Sequence, residues 1–109
     1  AAGSGVRWGC QPVTIIALAY DHTASADLDL WRAFIAKAQE RKHYVMIVTF
    51  RHASFGIADI ERDYPGIEIV TTEGTLKRRY LEENGFPVPT IWIDDMPELI
   101  GSRTDSVDA

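Results

Sequence analysis

A chain of 109 residues with 46% hydrophobic and 25% charged side chains suits one folded domain, and it lacks the ~20-residue apolar run that spans a bilayer. A formal charge of -5 speaks against general binding to a nucleic-acid backbone, which needs clustered Lys and Arg. Cys10 is the only cysteine, which excludes an internal disulfide, a Cys-x-x-Cys redox pair and a multi-cysteine zinc site, and fits a reducing, cytoplasmic setting.

The opening "AAGSGVRWGC" has no apolar stretch behind a basic start, so residues 1–10 read as a flexible or cloning-derived leader rather than a secretion signal. Trp8 and Cys10 are assigned packing at a sheet edge and no chemistry. "VTIIALAY" (13–20) is β-rich and apolar on both faces, the pattern of a central strand covered by helices on both sides. From Leu28 the period changes, with Leu28, Trp31, Ile35 and Ala38 forming a helical stripe widened by Phe34. Ser25 or Asp27 is the N-cap, and Asp29 favours the positive end of the helix dipole.

"YVMIVTF" (44–50) is a second doubly buried strand, with His43 in the turn before it, at the opposite end of the sheet from any strand-end site. Ile57, Ile60 and Tyr64 place a short helix within 55–64, stopped by Pro65-Gly66. "IEIVTT" (67–72) is the third strand, and Thr75 is expected to cap a helix through "LKRRYLEEN" that ends at Asn84-Gly85. "TIWID" (90–94) is the fourth strand, and residues 101–109 read as a frayed tail. Trp31, Phe34 and Trp92 are expected in the core.

The alternation predicts one domain over 1–109, an α/β three-layer Rossmann-like sandwich on a small parallel sheet, with ligands at the carboxyl ends of its strands. After the first strand stand Asp21, His22 and Thr23; after the second, Thr49, Arg51 and His52; at the third helix, Thr75 and Lys77; after the fourth strand, Asp94 and Asp95. Carboxylates suit a hard cation such as Mg²⁺, and Lys and Thr suit a phosphate.

This arrangement resembles the haloacid dehalogenase superfamily, over roughly residues 13 to 100. Its first motif, Asp-x-Asp-Gly-Thr after a strand, is matched by Ala19-Tyr20-Asp21-His22-Thr23. The Thr ending strand two is similar to Thr49, the Lys at a helix start to Lys77, and the acidic pair after the last strand to Asp94-Asp95. The resemblance implies a Mg²⁺-dependent phosphatase that hydrolyses phosphomonoesters through an aspartyl-phosphate. Asp21 would then be the general acid and base and, through its backbone carbonyl, a metal ligand. Asp94 and Asp95 would be further ligands, or Asp95 would orient metal-bound water. Thr49 and Lys77 would hold the phosphate. Thr23, His22 and Arg51 are candidates for substrate contact, though an exposed loop is the simpler reading of Arg51 and His52.

Two positions depart from the pattern. Ala19 stands where the family has the nucleophilic aspartate, and His22 where it has glycine. Residues 19 and 21 project the same way from a strand, so alanine removes the attacking oxygen from the same side that keeps Asp21. Either this is a natural non-catalytic, phospholigand-binding relative, or the aspartate was replaced to make an inactive protein that holds its substrate. The otherwise whole apparatus favours replacement. The link from Asp21 to Leu28, about 7 residues, leaves no room for a sizeable cap, so the crevice is expected to be open to a phosphorylated partner, small or large. A thioredoxin-like reading of "FPVPTIWID" lacks Cys-x-x-Cys, and a receiver domain lacks its acidic pair and its phosphorylated Asp at the third strand.

Overall fold

A computed structural model describes residues 14–101. The leader with Trp8 and Cys10, Val13, and the tail from 102 onward lie outside the described residues. Four strands, β1 (Ile15–Leu18), β2 (Tyr44–Thr49), β3 (Glu68–Thr71) and β4 (Ile91–Ile93), form one all-parallel sheet in the order β3-β2-β1-β4. The two inner strands are the ones whose sequences are apolar on both faces. Ile16 and Leu18 of β1, with Val45 and Ile47 of β2, enter one core, while Ala17, Met46 and Val48 enter the other. Strand alternation thus divides each apolar run between two layers of helix.

The helices α1 (Leu28–Glu40) and α2 (Ala58–Asp63) cover the first face through Ile35, Ala38 and Ile60. Helix α3 (Lys77–Glu83) covers the second through Leu81 and half-buried Tyr80. The change of face has a simple cause. The chain steps outward from β1 to β2 to β3, then crosses back past β1 to β4, and a right-handed crossover travelling the other way must put its helix on the other face. The strand order therefore reverses between β1 and β4, and a crevice opens there at the carboxyl ends.

Several boundaries differ from expectation. Strand β1 stops at Leu18 rather than 20 because the chain coils into a wide π-type turn, Tyr20–Ala24, whose Ala24 and Ser25 N–H groups donate to the carbonyls of Ala19 and Tyr20 at 3.0 and 2.9 Å. Of the two candidate caps for α1, Asp27 does the work: its carboxylate accepts from the Leu30 N–H at 3.1 Å, while the Ser25 hydroxyl accepts from the His22 N–H. Helix α2 begins at Ala58 because a 3₁₀ turn, Ala53–Phe55, is cut off from it by Gly56 at φ 95°. Thr75 does not cap α3. The capping position is Leu76, with no side-chain bond, and the Thr75 carbonyl instead accepts from the Thr72 hydroxyl at 2.8 Å. Trp31, Phe34 and Trp92 pack at the margins of the two cores, half-buried rather than central. Among the described residues no helix is long and apolar enough to cross a membrane.

Candidate functional site

At the carboxyl ends of β1, β2 and β4 lies a cavity of about 110 Å³. Ala19, Asp21, His22, Thr49, Lys77, Asp94 and Asp95 all line it. These are residues from the ends of three strands and the first turn of α3, brought to one place by the reversal of strand order. Thr23 and Arg51 are not among the lining residues.

Ala19 is 5% exposed and its N–H donates to the Ile93 carbonyl at 2.9 Å, which keeps the end of β1 against the end of β4. On the other side of the crevice the first residue of α3 projects its ammonium inward. Lys77 Nζ lies 2.5 Å from Asp94 Oδ2, and the second oxygen of Asp94 accepts the Met96 N–H at 2.9 Å. An ammonium has three N–H donors. Among the described residues Lys77 uses one, on Asp94. Thr49 is buried, its oxygen taking a long contact of 3.4 Å from the Arg51 N–H, and its hydroxyl hydrogen has no acceptor among the described residues. Two kinds of hydrogen-bond donor, cationic and neutral, thus face a space with an alanine methyl in it.

Asp21 is held by Arg51. The guanidinium donates from Nε and Nη2 to the two oxygens of Asp21 at 3.2 and 2.8 Å. It donates from Nη1 and Nη2 to Asp59 at 2.8 Å each, and from Nη1 to the Gly56 carbonyl at 3.0 Å. A guanidinium has five N–H donors, so every donor is committed within the protein and none remains for a substrate. Arg51 is therefore not the exposed loop residue of the simpler reading: its side chain is 10% exposed, with the Tyr20 and Phe55 rings 5.3 and 5.0 Å from Cζ. His52 does stand in solvent, 3.6 Å from Glu73.

The electrostatics follow. Hydrogen bonds from Arg51 hold the Asp59 carboxyl down at about 2, and the bonds to Asp59 and Asp21 raise the Arg51 guanidinium further above its ordinary range. Tyr20, beneath the guanidinium, is pushed up to about 12, first by burial and then by donating its hydroxyl to Asp63 at 2.6 Å. Asp59, Tyr20, Phe55 and Asp63 were not singled out from the sequence. Asp59 lies in the first turn of α2, and only tertiary contact shows that it shares Arg51 with Asp21.

The turn after β1 is also tied to β4, since the Thr23 hydroxyl donates to Asp95 Oδ1 at 3.0 Å. His22 has φ 66° and ψ 2°, the left-handed region that glycine adopts freely, so the local path is the one a glycine would take. Of the ligands expected for Mg²⁺, the carboxylates of Asp94 and Asp95 each have a protein donor, Lys77 and Thr23, whereas Asp21 was expected to ligate through its backbone carbonyl, and its carboxylate is held by Arg51. Among the described residues no three His, Cys, Asp or Glu side chains come together to hold a metal ion. Mg²⁺ takes near-octahedral oxygen ligation and is commonly held by one or two carboxylates with waters and phosphate; with alanine at 19, Asp94 and Asp95 are the carboxylates left for it at this strand end.

No family model, curated protein or solved structure matches this chain.

Proposed function

We propose that this domain has the site of a phosphomonoester hydrolase of the haloacid dehalogenase kind, stopped before its first step by Ala19. The observation that supports the reading is the common cavity: Ala19, Asp21, Thr49, Lys77 and Asp94, from four separate stretches of chain, line one space of phosphoryl size. Lys77 and the Thr49 hydroxyl supply donors to a phosphate, and a carboxylate at 19 would supply the attacking oxygen. That oxygen would form a bond to phosphorus as the ester's P–O bond breaks, and Asp21, when protonated, would give its proton to the departing alkoxide. Water attacking the aspartyl-phosphate, with Asp21 now taking the proton, would return the carboxylate and release phosphate. Alanine permits binding and none of these steps. Mg²⁺ belongs to the proposal only for a chain with aspartate at 19.

The test is Ala19→Asp, assayed with Mg²⁺ on an aryl phosphate and a broad ester panel. Activity is expected to arise and to disappear again in Ala19→Asp/Asp21→Asn. A folded Ala19→Asp protein that hydrolyses nothing overturns the phosphatase reading. A second reading, a natural phospholigand-binding module, has its own support. Lys77 is paired with Asp94 and Arg51 with Asp21 and Asp59, so both cations at this strand end have carboxylate partners without one at residue 19.

A further inference from the structure

The cavity measures about 110 Å³, against the roughly 300–1,000 Å³ of pockets that enclose a whole small molecule. A phosphoryl group fits inside, so the remainder of any ester must lie across the mouth. That mouth offers an apolar surface and no lysine or arginine beyond Lys77. Phe50 and Leu99 are half-buried and Met96 is 42% exposed, and all three line the cavity, from the ends of β2 and β4. Lys77 is the only lysine or arginine among the lining residues, and Arg51 has no donor left to offer. The carboxylates there, half-exposed Asp21 and exposed Asp95, would repel further anionic groups on a ligand.

We infer that the ligand is a phosphomonoester whose other half is apolar and uncharged, an aryl phosphate in chemical class, its ring lying on Phe50, Met96 and Leu99. This rests on the phosphoryl-site reading above and goes further by choosing among esters. Ala19 makes the present chain suitable for the measurement, because a bound ester is not consumed.

The experiment titrates the full chain with inorganic phosphate, glycerol phosphate and phenyl phosphate, following the Met96 methyl resonance and calorimetric heat. Phenyl phosphate is expected to bind about tenfold more tightly than glycerol phosphate, the return on partly burying one ring. Met96→Ser, checked for an unchanged fold by circular dichroism, is expected to weaken phenyl phosphate about threefold and leave inorganic phosphate unmoved. Inorganic phosphate bound with no preference for the aryl ester overturns the inference and leaves the phosphoryl site standing. An aryl preference indifferent to Met96→Ser also overturns it, since the ring would lie elsewhere. Binding of none of the three overturns both.

Discussion

Lys77 Nζ and Asp94 Oδ2 meet at 2.5 Å between α3 and the end of β4, with side chains only 5% and 4% exposed. Two ions so withdrawn from water are held by each other and by the Met96 N–H that Asp94 accepts. Removing one leaves the other charged and unpaired. Lys77→Met is expected to cost about 3–5 kcal/mol in urea denaturation, and Lys77→Met/Asp94→Leu to recover most of that loss. Strictly additive single-variant losses would show that the two groups do not depend on each other.

Arg51 joins Asp21 of the turn after β1 to Asp59 of α2 by bidentate pairs, a geometry that lysine cannot copy. Arg51→Lys is expected to lose about 1–3 kcal/mol by chemical denaturation, because one ammonium replaces a fork that also accommodates two rings. An unchanged midpoint would mean that the fork contributes nothing to folding.

The same cluster predicts an acid limb. The folded Asp59 carboxyl sits at about 2 against an ordinary 3.8, so its contribution is present above 3.8 and is lost as pH falls from there toward 2. Stability measured against pH should show the native protein's advantage over Arg51→Met shrinking across that interval. A constant difference would separate Asp59 from Arg51.

Tyr20 predicts the alkaline counterpart. Its folded value of about 12 exceeds the ordinary 10.0, so the stabilisation is complete below 10 and fades as pH rises toward 12. Tyr20→Phe, which removes the bond to Asp63, is expected to cost about 1–2 kcal/mol at neutral pH. Tyr44 and Tyr64 are raised by burial too, so the informative quantity is the difference between the native protein and the variant. A difference that does not diminish above pH 10 would contradict the assignment.

His22 at φ 66° adopts a left-handed conformation that costs a side-chain-bearing residue about 1–2 kcal/mol, while glycine gives back part of that through a freer unfolded chain. His22→Gly is therefore expected to gain about 0.5–1 kcal/mol, read as a rise of a few degrees in Tm. A fall would mean that the imidazole makes a compensating interaction.

The periodicities of the chain were enough to specify the element types and their sequence, because runs apolar on two faces and stripes apolar on one are local consequences of what each element must bury. They also sufficed to nominate strand ends as the place to look, and residues such as Asp21, Thr49, Lys77 and Asp94 do line one cavity. Boundaries were less legible where a backbone device competes with propensity: the π-type turn that ends β1 early, Gly56 ahead of α2, and the Thr72 hydroxyl that takes the Thr75 carbonyl. Partnerships were not legible at all. That β4 lies beside β1, that Lys77 pairs with Asp94, and that Arg51 faces inward to Asp21 and Asp59 instead of outward to a ligand depend on which distant surfaces meet. A hydrogen bond between residues 30 apart leaves no trace in local pattern, since its energy is realised only after the sheet has brought the two ends together.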